Sequence, residues 1–374
     1  MPDSICYIQP MKSTVLIVGG GLAGLSLYAA LDKEKYGVTL AERNPRLANL
    51  GFGILFLPIG YQALKRLGYA DRLIADLGKR YEDFCKHDQH GLLAENMDYR
   101  PLARDFGPFA QVGREQLYQL LTSRIPKENI RHAAVASIWQ NDGAATATFA
   151  DGTTQTYDYV IGADGVHSAV RTSLFPEAIA QPSGMAYIWA WVSRDASANL
   201  PSQPGSYAAD DIGMGLLDIA DPTRICVFFW FSDKENLNRK EPETWLPFLR
   251  EKFAGFTGIV PGILANLPPA NQLYMHYDYS LELSAWHQGN VAVLGDAAHA
   301  ITIFSGLGSS LALEDGLFMG KLLNSLHPLD AFREFERVQR PRTQGIALEK
   351  LGNVEENLAI MRAVFSSSPL LAAT

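Results

Sequence analysis

Val15-Leu16-Ile17-Val18-Gly19-Gly20-Gly21-Leu22-Ala23-Gly24 is the stretch on which the fold turns. Val15 to Val18 reads as a short buried strand, the glycines as a tight turn, and the residues up to Leu31 as a helix. A second short strand, Val38 to Ala41, ends at Glu42-Arg43. Strand, glycine turn, helix and strand within about 30 residues make a βαβ unit, the opening of a doubly wound parallel sheet. The stretch from Val15 to Leu31 is apolar enough to suggest a membrane span. It is shorter than the roughly 20 residues a bilayer requires, and its glycines have a chemical use. They let the chain turn sharply and let a pyrophosphate approach the helix N-terminus, where unpaired N–H groups and the helix dipole stabilise negative charge. Glu42, at the end of the second strand, can accept hydrogen bonds from ribose hydroxyls. Gly19, Gly21, Leu22, Ala23, Gly24 and Glu42 are therefore candidate ligands of an adenine dinucleotide, with NAD and FAD both open at this point.

Downstream, Arg114 to Arg124 reads as a helix, and Asp151-Gly152 as a hairpin turn between Ala145–Phe149 and Thr153–Tyr157. Tyr159-Val160-Ile161 is another buried strand, running into Gly162-Ala163-Asp164-Gly165. Residues 81–100 are polar and broken by His90-Gly91, which predicts a hairpin outside the parallel sheet. From about 181 to 284 the texture changes to aromatic strand-like runs, Tyr187 to Val192 and Ile225 to Phe231, followed by a helix over Glu243 to Phe253. This predicts a mainly antiparallel sheet inserted into the α/β unit, because Asn290 to Leu294 is again a buried strand, leading into Gly295-Asp296 and a helix through Leu323. The tail from Leu329 to Phe365 reads as two amphipathic helices split near Arg340-Pro341.

The chain has 374 residues, 47% of them hydrophobic and 19% charged, enough apolar material for a large core and no signature of disorder. A net charge of −8 argues against nucleic acid or an anionic membrane as the main partner, since both call for clustered Lys and Arg. Cys6, Cys85 and Cys226 form neither a disulfide framework nor a zinc pattern, and with no signal architecture at Met1 to Ser13 the expectation is a cytoplasmic protein without membrane insertion. His87-x-x-His90 lacks further ligands, so no metal site is expected.

Two further segments narrow the dinucleotide. Gly162-Ala163-Asp164-Gly165-Val166-His167-Ser168-Ala169-Val170-Arg171 and Gly295-Asp296-Ala297-Ala298-His299 each follow a strand. With the N-terminal glycines, they resemble the motif set of the single-component flavoprotein aromatic hydroxylases, the para-hydroxybenzoate hydroxylase-like FAD monooxygenases. Gly51-Phe52-Gly53-Ile54 before Pro58, Arg114 heading a helix, Trp286 upstream of Gly295, and Phe335-Glu336 with Pro341-Arg342 are lesser matches. The resemblance implies a Rossmann-like FAD-binding domain over 13–80, 101–180 and 285–325. It implies a substrate-binding sheet domain over 81–100 and 181–284, and C-terminal helices over 326–374. It implies FAD as cofactor, NADPH or NADH as transient co-substrate, molecular oxygen, and a small aromatic substrate hydroxylated through a flavin hydroperoxide by a monomer or homodimer. Within it, Asp296 meets the ribityl chain, Arg114 the ribityl or pyrophosphate region and Arg43 the adenosine end. Gly306, Leu307, Gly308 and Ser309 bring a helix N-terminus to the pyrimidine edge of the flavin, and Asp164 serves both FAD and NAD(P)H. A flavin-dependent halogenase, a flavin reductase of the same fold and a flavin-binding protein without turnover are the alternatives.

Departures from the family pattern cluster near that edge: Ala300 and Ile303 stand where prolines are usual, Leu307 replaces Gln or Lys, Ile59 replaces Asn, and Gln339 replaces an arginine. They imply a more apolar flavin pocket. On the substrate side, strand alternation puts Cys226, Phe228 and Trp230 on one face and Val227, Phe229 and Phe231 on the other. One face suits a core and the other flavin and substrate, which makes Trp191, Phe228 and Trp230 candidate substrate contacts. Arg224, opening that strand, is a candidate anchor, and His276 a candidate base. Gly213-x-Gly215-x-x-Asp218 copies the dinucleotide spacing but lies in the aromatic sheet, so no second dinucleotide site is expected there.

Overall fold

The computed structural model describes residues 12–45, 52–69, 78–196, 200–201, 203–219, 221–344, 346 and 353–371; Cys6 and Gly51 lie outside them. Ser13–Val18 is the centre of a six-stranded sheet. It pairs in parallel with Tyr36–Ala41 on one side and Tyr159–Gly162 on the other, and Tyr159–Gly162 pairs in parallel with Val291–Val293. Ile130–Arg131 closes one edge in parallel and His287–Gln288 the other antiparallel. Val15, Leu16 and Ile17 are fully buried, the mark of a strand covered on both faces. The doubly wound, mainly parallel expectation is therefore met.

Two helices cover this sheet near its glycine turn, Leu22–Ala30 and Gly308–Ser325. They lie nearly in contact because Gly316 and Gly320 present no side chain. A Cβ on Gly316 would stand 2.3 Å from the Ala23 carbonyl oxygen, and one on Gly320 would stand 2.5 Å from the Ala30 Cβ. The later glycine faces the later residue, so the two helices run in the same direction, with the Gly308–Ser325 helix beginning about two turns ahead of the other.

The aromatic segment forms a seven-stranded sheet in the order Tyr274–Ser280, Gln181–Ser193, Arg224–Ser232, Ile212–Leu217, Gly205–Ala209, Asp83–Asp88 and Leu93–Asp98. The hairpin at residues 81–100 thus joins this sheet, through a parallel pairing of Gly205–Ala209 with Asp83–Asp88. One face, carrying Ile188, Ala190, Val227, Phe229 and Phe231, packs on helices Trp245–Lys252 and Val260–Ala265. The other carries Tyr187, Trp189, Cys226, Phe228 and Trp230 and turns toward the parallel sheet. Gly213 and Gly215 serve this second face. A Cβ on either would stand 2.2 Å from the ring of Trp230 or Phe228, so the glycines let both rings lie flat across the strand. Their dinucleotide-like spacing is the two-residue repeat of a strand face.

The tail forms the two expected helices, with the break just beyond Pro341. Helix Pro328–Thr343 runs through it, and the next helix is Val354–Ser366. Pro341 sits in the last turn, where it removes one donor, and the Gln344 N–H still closes onto the Arg340 carbonyl. The turn is also pinned from outside. Arg342 donates to Glu314 at 2.5 Å and to the Val364 carbonyl at 2.9 Å, inside the protein.

Candidate functional site

Both sheets face a cleft of about 640 Å³. One wall is backbone. Gly19 sits at φ +106°, where its missing Cβ would stand 2.3 Å from the Ala163 carbonyl oxygen. A Cβ on Gly24 would stand 2.0 Å from the Gly19 carbonyl oxygen. These two glycines close the turn against its neighbours. Gly21 differs: a Cβ there would come no nearer than 3.7 Å to Ala163 and would project into the cleft. Gly21 caps the Leu22–Ala30 helix without any side-chain bond, so the first N–H groups of that helix face the cleft beside Gly20, Leu22 and Ala23. The Gly308–Ser325 helix starts equally uncapped, with Gly306, Gly308 and Ser309 on the cleft wall.

Acidic and basic side chains sit between these helix ends. The Gly20 N–H donates to Glu42 Oε2 at 2.7 Å and the Asn44 N–H to Oε1 at 2.7 Å, which fixes the carboxylate at the tip of its strand with lone pairs to spare. Arg43 lines the same end. Arg114 and Asp296 are both exposed on the cleft wall. Burial raises the Asp296 pKa, against the lowering effect of His299 and Arg114. Arg114 is held in its charged form mainly by the Tyr118 hydroxyl, to which it donates at 3.2 Å. Behind Asp296, His299 meets Asp315 at 2.5 Å, and Asp315 accepts from the Gly295 N–H at 2.9 Å and from Gln339 at 2.7 Å. Burial alone would lower the His299 pKa, but Asp315 reverses this and the net direction is upward. This buried pair ties the Gly295-Asp296 turn to the C-terminal helices.

Asp164 also lines the cleft, but its carboxylate is engaged: Oδ1 accepts from Ser168 at 2.5 Å and Oδ2 from the Ala169 N–H at 2.8 Å, at the start of helix Ala169–Leu174. Arg171 is likewise spent on the carbonyls of Val166, Ala178 and Ala297. The structure thus gives this motif a role in holding the turn together.

The opposite wall is aromatic. Phe228 and His276 line it, with Phe52, Trp189 and Tyr274, which sequence reasoning did not single out as site residues. Several of these rings lie nearly parallel. Trp189 stacks on Phe228 at 4.5 Å, and Tyr187 on His276 at 5.2 Å with 15° between the planes. Burial, helped by the Arg114 charge, lowers the His276 pKa to about 4, so the ring is neutral near pH 7. Asp278, two residues on and on the same strand face, is buried against the cleft, and burial raises its pKa. Only the strand pairing Tyr187 opposite His276 could have flagged this group, and pairing is not written in either segment alone.

Five expected site residues lie off the cleft wall. Gly24 acts through packing, as above. Leu307 is fully buried among Leu57, Ile59 and Leu311, so its replacement of a polar residue builds core. Trp230 lies flat over Gly213. Trp191 stacks on Phe52 at 6.2 Å, behind the wall. Arg224 sits over the Trp191 ring at 4.2 Å and is ion-paired with Asp221 at 2.8 Å, which takes it out of reach of a ligand in the cleft.

A glycine turn, two uncapped parallel helices and an acidic strand tip at the C-terminal end of a parallel sheet define a dinucleotide-binding flavoprotein. The chain belongs to the FAD binding domain family, whose model matches residues 12–327. Its relatives include 3-amino-4-hydroxybenzoate 2-monooxygenase PtmB3 of Streptomyces platensis, 27% identical over 91% of this chain and 87% of that one. FAD-dependent urate hydroxylase of Mycolicibacterium vanbaalenii is 29% identical over 89% of this chain and 85% of its own. In fold, the chain matches Klebsiella pneumoniae HpxO complexed with FAD and uric acid, with a TM-score of 0.82, 21% identity and coverage of 99% and 95%. The resemblance drawn from the three motifs therefore holds, and FAD is the cofactor of this family. Among the described residues, no helix is long and apolar enough to cross a membrane.

Proposed function

We propose that this chain is an FAD-dependent, NAD(P)H-consuming monooxygenase that hydroxylates a small aromatic substrate. The observation that carries the reading is the convergence of two uncapped helix N-termini on one cleft whose far wall is a sheet of aromatic rings. The residues fit FAD. Gly20 to Ala23 suit the pyrophosphate, Glu42 a ribose, Arg43 the adenosine end, and Arg114 and Asp296 the stretch between. The start of the Gly308–Ser325 helix would offer its positive end to negative charge on the flavin. When bound, FAD supplies electron transfer from NAD(P)H and the activation of oxygen. The protein positions and dries. Phe52, Trp189, Phe228 and Tyr274 offer flat apolar faces to an aromatic ring, and the apolar Ile303 on the cleft wall helps keep water from the reacting end. His276, neutral and within the aromatic wall, can accept a hydrogen bond from a substrate hydroxyl; its lowered pKa makes it a weak base. The relatives reported above are monooxygenases, which favours this reading over a halogenase or a reductase.

Purified protein should be yellow and release FAD on denaturation. It should oxidise NADH or NADPH faster with an aromatic ligand and yield an oxygenated product. Colourless protein after incubation with FAD would remove the whole reading. Reduction that forms only hydrogen peroxide, whatever ligand is tried, would remove the hydroxylase.

A further inference from the structure

Behind the Gly295-Asp296 turn, two carboxylates and two basic side chains are sealed inside the protein. Glu314 and Asp315 are fully buried, and His299 is 4% exposed. Arg342 pairs with Glu314 at 2.5 Å, and the Ser368 hydroxyl donates to the same carboxylate. Asp315 is left to His299, whose Nε2 lies 2.5 Å from Oδ2, because its other donors, the Gly295 N–H and Gln339, are neutral. Trp286 lies along the His299 ring at 5.1 Å with 26° between the planes, an electron-rich face against the imidazole. Nδ1 makes no hydrogen bond, so the ring is held from its Nε2 edge and from its face. A charged imidazole balances Asp315, and a buried carboxylate without such a partner is far more costly. On the other side of the same turn, the Asp296 carboxylate is exposed on the cleft wall and makes no hydrogen bond among the described residues. Desolvation raises the Asp296 pKa, His299 and then Arg114 oppose that rise, and Asp315 adds to it.

We infer that His299 is a positioning residue for Asp296: as an imidazolium clamped by Asp315, it supplies the fixed positive charge that keeps Asp296 ionised and ready to accept from FAD. Arg114 is less suited to this task. Its guanidinium donates to Tyr118 and, on the functional reading above, is shared with FAD. The other charged groups around the turn are spent elsewhere: Arg171 on the Ala297 carbonyl, Arg342 on Glu314, and Glu336 on His287 and Arg340 behind Trp286. An ionised carboxylate accepts more strongly than a protonated one, so FAD retention weakens as the pH falls and Asp296 takes up a proton. The His299 charge moves that point to lower pH. The inference rests on the proposed placement of Asp296 against FAD.

His299→Gln separates charge from shape, because the amide still donates to Asp315 but carries no charge. FAD is titrated into apoprotein across a range of pH, and the dissociation constant is read from the quenching of flavin fluorescence. The pH below which wild type loses affinity should rise by about one unit in His299→Gln, the effect of removing an opposite charge beside a carboxylate. Affinity at about pH 8 should stay within about threefold, since the hydrogen bond to Asp315 is kept. Asp296→Asn should abolish the loss of affinity at low pH, and adding His299→Gln to it should shift nothing further. In wild type, nitrogen NMR at about pH 8, where a free histidine is neutral, should show one histidine protonated on both nitrogens. The inference falls if His299→Gln weakens FAD equally at every pH, or if its shift persists beside Asp296→Asn. It falls equally, with no variant needed, if none of the eight histidines is charged at about pH 8. Asp296→Asn that binds FAD as wild type does at every pH refutes the placement of Asp296 beneath it.

Discussion

The two ends of the cleft are made of different material. At the glycine end the working groups are backbone N–H donors at the starts of Leu22–Ala30 and Gly308–Ser325. At the aromatic end they are side chains from three strands, Gln181–Ser193, Arg224–Ser232 and Tyr274–Ser280, that meet only through sheet pairing. Backbone donors go where the chain goes, so their chemistry is fixed locally and tolerates little but glycine beside them. A wall of rings can be repacked while the sheet behind it stands.

The largest effects should come from the glycine end and should split by position. Gly24→Val forces a side chain into the Gly19 carbonyl, so loss of the folded state is expected, visible as absent soluble protein or a collapsed urea midpoint. Gly21→Val has room in the fold and an extended backbone at φ −73° that valine adopts readily. Folded apoprotein that no longer retains FAD is expected, by near-UV circular dichroism and the absorbance of released flavin. If Gly21→Val retains FAD, the backbone end does not hold the pyrophosphate. Asp296→Ala should weaken FAD retention by about tenfold or more while Asp296→Asn weakens it less, since the amide still offers one acceptor.

At the aromatic end a comparable insult should be milder and should strike another property. Gly215→Leu drives a side chain into the Phe228 ring and should cost about 1–3 kcal/mol of stability. FAD should stay bound, while stimulation of NAD(P)H oxidation by aromatic ligands is lost. A variant that loses FAD and ligand together would show that the two ends are one mechanical unit.

This contrast also explains what the sequence could show. The βαβ opening, the hairpin at Asp151-Gly152 and the uncapped helix behind Gly306 are written in contiguous residues, and each was legible. Asp278 was not, because its meaning depends on Tyr187, nearly a hundred residues away, and on the Ile303 N–H. Trp191, Trp230 and Arg224 sit on the right strands and face, but rank and depth within a face are set by twist and by neighbours such as Gly213, which alternation does not encode.

His276 offers a smaller, pH-dependent test of the aromatic end. Its folded pKa of about 4 lies below the ordinary 6.5, so between those values the unfolded chain binds a proton that the folded chain does not. The contribution of the neutral ring is complete above pH 6.5 and disappears as the pH falls toward 4. His276→Gln should therefore flatten the fall in unfolding free energy between pH 7 and 4, by up to about 3 kcal/mol across that window. Equal slopes in wild type and variant, from urea titrations at each pH, would place the ring in water.

The smallest effect belongs to Arg224, and it discriminates because the residue opens the same strand that carries Phe228. Its guanidinium is engaged by Asp221 and the Trp191 face, behind the wall, and partly solvent-exposed. Exposed ion pairs contribute roughly 0–1 kcal/mol, so Arg224→Ala should change stability by less than that and leave ligand affinity and FAD content within about twofold. A large rise in the dissociation constant for anionic ligands alone would mean that Arg224 reaches the cleft when ligand is present. The aromatic wall would then have a cation of its own.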